Sequence, residues 1–116
     1  MGGQLGPHKG KNFDTGNPIG PWIVTPDEIA DPYALTMTAR VNGEELSRGS
    51  TSEMYYTFED IIAFVSRDEM LHPGEFLASG TTGGGCGLEQ DRYLSDGDVV
   101  ELDVERIGVL RNRVLR

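Results

Sequence analysis

The sequence predicts a mainly β chain with one α-helix, an α+β fold, and three observations carry that prediction. Residues 35–41 and 99–105 alternate apolar with polar side chains, the period of a strand with one buried face. Each of these stretches runs into a glycine-containing turn of hairpin type. One segment, residues 58–67, has helical spacing instead. Hairpins rather than helical crossovers join the alternating stretches, so an antiparallel or mixed sheet with a single packed helix is expected.

In chain order, residues 1–21 are rich in glycine and contain three prolines, which prevents any sustained periodic pattern. Trp22, Ile23, Val24 and Thr25 form a short β-branched and aromatic run that predicts a strand ended by Pro26. Leu35, Met37, Ala39 and Val41 share one strand face until Asn42-Gly43 supplies the positive φ angles of a two-residue turn. Pairing across that turn sets Val41 opposite Glu44, Arg40 opposite Glu45, Ala39 opposite Leu46 and Thr38 opposite Ser47. Thr57 is placed to cap a helix over residues 58–67, with Asp60 three residues on and Phe58, Ile61, Ile62 and Val65 as its apolar face. Pro73-Gly74 separates this helix from a strand over residues 76–79, and the glycine loop GTTGGGCG follows at 80–87. In the last hairpin Val100, Leu102 and Val104 point inward, Arg106-Ile107-Gly108 makes a three-residue loop, and Asp103 faces Arg111 while Glu101 faces Arg113.

Composition narrows the function. A length of 116 residues suits one domain, and 16 glycines are about twice the usual share. The formal charge of −9 argues against a nucleic-acid partner, because phosphate binding needs a surplus of Lys and Arg. A single cysteine, Cys86, cannot form an internal disulfide, and no apolar run approaches the ~20 residues of a membrane helix. The N-terminus has neither a secretory h-region nor the character of a transit peptide, so a cytoplasmic location is expected.

Three places invite chemistry. The glycine loop can present successive backbone N–H groups as a concave site for a carboxylate or enolate oxygen, although a glycine run after a strand can equally be a turn. It lacks both the Lys-Ser/Thr of a phosphate loop and a G-x-G-x-x-G spacing. His8, Lys9, Lys11, Asp14 and Thr15 form a polar cluster able to converge on an anion, against the plainer reading of a solvated tail. Glu101, Asp103 and Glu105 have the oxygens for a hard cation, but the outward face of a hairpin paired to arginines accounts for them better. His72, in a turn with no His or Cys at ligand spacing, has no assigned role, and Cys86 reads as a small buried or loop residue.

The motifs GKNFDT (residues 10–15), GPWIVTPDEI (20–29), RVNGE (40–44), TFEDIIAFVS (57–66), LHPGEFLASGTTGG (71–84) and DGDVVELDVERIGVLRNRV (96–114), in that order, resemble the fumarylacetoacetate hydrolase family. The resemblance implies a mixed β-sandwich or β-roll, dimeric, binding Mg²⁺, Mn²⁺ or Ca²⁺ and acting on 2-oxo acids by C–C hydrolysis, decarboxylation or isomerisation. Such enzymes serve aromatic or amino-acid catabolism. It places Lys11 on the active-site lysine near metal and substrate, Thr15 on a metal-proximal threonine, and Thr81, with Thr82 and Gly83 beside it, on the loop that contacts the substrate carboxylate. Glu89 lies near the position of a catalytic glutamate in one member, but the loop length differs.

Members of the family carry an E-x-E pair, an N-D-x-S-x-R-D segment and a histidine-containing lid upstream of the lysine. This sequence begins after them, and ELDVE matches the family's final hairpin rather than the E-x-E. The resemblance therefore implies a single partial catalytic domain over residues 1–116, the C-terminal half, from a truncated gene, a fragmentary gene model or a split protein. Its main carboxylate metal ligands would lie elsewhere and the chain alone would hold no metal tightly. The expected partners are a small 2-oxo acid, a second copy of the chain or a separate N-terminal half. The alternative expectation is a non-catalytic fragment or assembly module.

Overall fold

The computed structural model describes residues 14–115. Four antiparallel strands form one open sheet: β1 (Thr36–Val41), β2 (Glu44–Ser50), β3 (Val99–Val104) and β4 (Gly108–Arg113), in the spatial order β2-β1-β3-β4. The helix α1 (Phe58–Val65) and the glycine loop both belong to the connection from β2 to β3. The mainly β fold with one helix is as expected. Among the described residues no helix is long and apolar enough to cross a membrane.

Local chemistry explains the elements that formed. Asn42 and Gly43 take φ of 52° and 83°, the positive angles that turn the β1–β2 hairpin. Asn42 also joins this hairpin to β3: its side-chain oxygen accepts the Val99 N–H at 2.9 Å and its amide donates to Asp98 at 2.8 Å. Thr57 caps α1 by accepting the Asp60 N–H at 3.1 Å while Asp60 accepts the Thr57 N–H at 3.0 Å. That contact holds the Asp60 carboxyl below its ordinary pKa. The Tyr33 hydroxyl reaches the same end of the helix, accepting the Phe58 N–H at 2.9 Å and donating to Glu59. Its ring stacks on Phe58 at 5.3 Å. Partial desolvation and then the bond to Glu59 push the Tyr33 phenol up.

Several expectations are corrected. The helix ends at Val65 rather than 67, because Ser66 leaves helical geometry with its N–H on the Ile62 carbonyl. Residues 22–25 and 76–79 are not strands, since neither run finds a ladder in the four-stranded sheet. Trp22 is held instead through its side chain: Nε1 donates to the Ile107 carbonyl at 2.6 Å, and the ring lies where a Cβ on Gly108 would be. The first two pairs of the β1–β2 hairpin hold, then the register shifts so that Ala39 faces Ser47 and Thr38 faces Arg48, leaving Leu46 extra. Without that bulge Arg48 would sit opposite Met37 on the apolar face. With it Arg48 joins the polar face and pairs with Glu45 at 2.7 Å, and Gly49 comes opposite Met37.

The β3–β4 loop is Glu105 to Ile107, with Arg106 at φ 62°, so Glu101 faces Arg111 and Asp103 faces Val109. The charges still pair, but across the sheet. Glu45, Arg40, Glu101 and Arg111 stand in one row over β2, β1, β3 and β4, alternating in sign. Arg111 is ion-paired with Glu101, and Asp103 bonds Arg40 at 3.1 Å instead of an arginine on its own hairpin. The opposite face is apolar, yet Leu35 and Val41 are the buried apolar side chains among the described residues. Leu102, expected inward, is 47% exposed, because the segments that pack over this face leave an open cavity above it.

Candidate functional site

The bulged β2 positions the site. A glycine inside a strand marks a close approach of something else, and at Gly49 it is Thr82. A Cβ at Gly49 would lie 2.5 Å from Thr82 Cγ2 and 2.9 Å from its Cβ. The loop 80–87 therefore rests on the apolar face of the sheet. Gly80 and Gly84 take φ of 99° and 70°, which ordinary side chains resist, and the Gly85 N–H closes onto the Thr82 carbonyl at 3.3 Å. Gln90 ties the loop to the strand, its amide donating to the carbonyls of Leu46 at 3.1 Å and Gly84 at 2.8 Å. Arg92 adds an ion pair to Glu44 at 2.9 Å, which lowers the Glu44 carboxyl.

Between loop and sheet lies a cavity of about 410 Å³. Thr81, Thr82 and Gly83 line one side, Met37, Ala39 and Leu102 form an apolar floor, and Thr51, Met54 and Phe58 close the end nearest α1. Thr51 is buried, accepting the Leu35 N–H at 2.9 Å, so this wall is fixed by the β1–β2 ladder. Hydroxyls and loop backbone over an apolar floor can orient a small anion with a short carbon skeleton.

The carboxylates on the lining are Glu53 and Asp103, and Asp103 is occupied by Arg40. Among the described residues no three His, Cys, Asp or Glu side chains converge as a metal centre. This donor set by itself does not fit a hard cation, which wants several oxygen ligands.

The structure brings together the predicted Thr81, Thr82 and Gly83. Thr15 is exposed at φ 67° and is not part of the cavity lining. Lys11, His8 and Lys9 lie outside the described residues. Glu89 accepts the Cys86 N–H at 3.1 Å and so holds the turn Gly87–Gln90, and Cys86 itself is exposed. Gly49, Gln90, Met54 and Thr51 escaped notice in the sequence. Only Gly49, a glycine breaking a strand pattern, offered a signal.

An open antiparallel sheet with a glycine loop folded over one face, walling a small polar-rimmed cavity, describes a small-molecule site on a β scaffold. The family model described as fumarylacetoacetate (FAA) hydrolase C-terminal matches residues 1–115, and the chain belongs to this family. It is 44% identical over 108 residues to 2,4-didehydro-3-deoxy-L-rhamnonate hydrolase of Sphingomonas sp. (strain SKA58), covering 91% of this chain and 38% of that protein. It is 43% identical over 107 residues to the mitochondrial oxaloacetate tautomerase of Rattus norvegicus, covering 91% and 34%. Among solved structures, fumarylacetoacetate hydrolase from psychrophilic Exiguobacterium antarcticum superposes with a TM-score of 0.84 at 42% identity, over 92% of this chain and 39% of that one. Maleylpyruvate hydrolase from Sphingobium sp. SYK-6, in complex with manganese(II) and pyruvate, gives 0.78 at 31% identity over 89% and 37%. The chain thus spans between a third and two-fifths of the length of these relatives.

Proposed function

We propose that this chain supplies the carboxylate-orienting part of the active site of an enzyme acting on small 2-oxo acids, by C–C hydrolysis, decarboxylation or isomerisation. The observation that carries the reading is the seat of Thr81, Thr82 and Gly83 on the cavity above β1. The Thr81 and Thr82 hydroxyls donate to the substrate carboxylate, and the loop backbone narrows the geometry in which it lies. Met37 and Leu102 offer the carbon skeleton an apolar floor. By the family resemblance, Lys11 would supply positive charge to the oxygen that gains it, and Thr15 would belong to the loop near the metal. Dependence on Mg²⁺, Mn²⁺ or Ca²⁺ and residence in the cytoplasm belong to the same reading. Among the described residues no carboxylates gather that could hold such an ion. The relatives that support this reading are a hydrolase, a tautomerase and a hydrolase solved with manganese(II) and pyruvate.

The test titrates the full chain with pyruvate and follows its backbone amide signals, then assays oxaloacetate and acetylpyruvate with Mg²⁺ and Mn²⁺. Shifts concentrated at residues 80–85 are expected, without turnover by the chain alone. Shifts scattered over the surface, or confined elsewhere, would refute the assignment of the cavity.

A second reading is an assembly module that pairs with a separate N-terminal half. The exposed apolar side chains favour it: Leu102, Phe76 and Leu94 are 47%, 74% and 45% exposed. Co-expression with the N-terminal part of the Sphingomonas hydrolase separates the readings. Recovered turnover supports a split enzyme, and no association supports the fragment acting alone.

A further inference from the structure

The cavity under the glycine loop is uneven in charge. Among the described residues its lining holds no Lys, Arg or His, and its carboxylates are Glu53 and Asp103. Arg40 neutralises Asp103 at 3.1 Å. Glu53 has no ion-pair or hydrogen-bond partner among the described residues, so the lining keeps an uncompensated negative charge. Its position is set by the backbone. Glu53 ends the 3₁₀ turn Thr51–Glu53 that follows β2, pinned by the Ser50 hydroxyl, which accepts the Ser52 N–H at 3.1 Å, and by the Met54 N–H on the Thr51 carbonyl at 3.2 Å. Thr51, at the start of the turn, is buried and bonded to the Leu35 N–H. The free carboxylate therefore belongs to the α1 end of the cavity, away from the threonines of the loop.

We propose that Glu53 sets the substrate class of this site: a monocarboxylic 2-oxo acid with a neutral, hydroxyl-bearing far end, 2-oxo dicarboxylates being turned away. The inference rests on the reading that Thr81, Thr82 and Gly83 seat the substrate carboxylate. With that group on the glycine loop, the rest of the molecule crosses the apolar floor toward the α1 end. A second carboxylate there meets Glu53 with no cation on the lining to offset either charge, and the two repel. A hydroxyl donates to Glu53 instead, in a charge-assisted bond, and Ser47 on the lining adds a hydroxyl that can both donate and accept.

Two matched pairs of ligands test this, titrated into the full chain and followed through the amide signals of residues 80–85. In 2-oxopentanoate and 2-oxoglutarate the difference is the second carboxylate, and 2-oxoglutarate should bind about three- to tenfold more weakly. Salt raised from about 0.01 M to about 1 M shortens the screening length from about 30 Å to about 3 Å and should shrink that ratio. Glu53→Gln should bring it within about twofold of unity, and Glu53→Lys should invert it. Glu28→Gln changes the net charge equally but lies off the cavity lining, and should leave the ratio as in the parent. In 2-oxobutanoate and 4-hydroxy-2-oxobutanoate the difference is the hydroxyl, which should tighten binding about threefold. Unmoved amide signals in β1 and β3 check that the Glu53 variants keep the sheet. The assignment to Glu53 is overturned if 2-oxoglutarate binds the parent as well as 2-oxopentanoate, if the ratio survives Glu53→Gln, if Glu28→Gln lowers it equally, or if the hydroxyl weakens binding. In each of those cases the ligands still shift residues 80–85 and the seat on the loop stands. When none of them shifts those signals, the seat itself falls, and this inference with it.

Discussion

Replacing Gly49 with alanine tests whether the glycine loop depends on the bulged strand beneath it. The new methyl would stand 2.5 Å from Thr82 Cγ2 and 2.9 Å from Thr82 Cβ, and ordinary contact begins near 3.4 Å, so something must yield by about 1 Å. The strand is an edge strand, but its ladder to β1 continues past Gly49 to Ser50 and is anchored by the buried Thr51. The loop is held by a 3.3 Å turn bond and the two Gln90 contacts, so the loop gives way. Overpacking costs about 1–3 kcal/mol when a core must absorb it. Gly49 has no left-handed φ, and alanine there regains about 0.4–1 kcal/mol by restricting the unfolded chain. A yielding loop therefore leaves net stability within about 1 kcal/mol of the parent, a shift in melting temperature of at most about 4–8 °C.

Amide signals of residues 80–85 should move while those of β3 and β4 stay. Pyruvate affinity should fall about tenfold, the loss of one charge-assisted hydrogen bond. Thr82→Ser, which removes the closest methyl and keeps the hydroxyl, should restore much of both in the double variant. The reasoning fails if Gly49→Ala leaves the loop signals in place, or if the sheet signals move while the loop's do not.

Other expectations concern the frame of the site. Thr57→Ala removes the side-chain acceptor at the start of α1 and should lower stability by about 1 kcal/mol, read as a lower urea midpoint with an unchanged slope. Gly108→Ala meets both a φ of 131° and the Trp22 ring 2.7 Å away; it should destabilise by more than 1 kcal/mol and change the tryptophan fluorescence, and an unaltered emission spectrum would contradict the contact. Hydrogen bonds from the Ser95 N–H and the Asn42 amide lower the Asp98 carboxyl, the Thr57 N–H lowers Asp60, and Arg92 and Arg48 lower Glu44 and Glu45. Folded-state pKa values below the unfolded ones mean that this stabilisation is fully present above about pH 4–4.5 and is lost as pH falls through the folded values. Urea midpoints should therefore be level from pH 7 to about 5 and decline below 4, and a midpoint that rises on acidification would be inconsistent with these contacts.

Local patterns were legible because their physics is local. Asn42-Gly43 needs no distant partner to turn a chain, and Thr57 with Asp60 caps a helix within one turn. The alternation of residues 36–41 and 99–104 and the motifs of the glycine loop likewise lie along the chain, and the family was readable from them. Register was not. The shift at Leu46 exchanges every later side chain of β2 between faces, and alternation alone is equally satisfied before and after it. The partners of Glu101 and Asp103 moved for a similar reason, since a loop starting one residue earlier re-pairs the whole of β4 and β1 then offers Arg40 from a third strand.

The sequence by itself therefore determined the fold class, the one helix with its cap, the two hairpins and the glycine loop, including Thr81, Thr82 and Gly83. Tertiary structure alone decided where that loop lands. Gly49 is brought beneath Thr82 by a bulge of one residue, and Gln90 fastens the loop to the Leu46 carbonyl across 44 positions of sequence. A close approach between segments so far apart depends on the sum of every register between them, and no local preference records that sum.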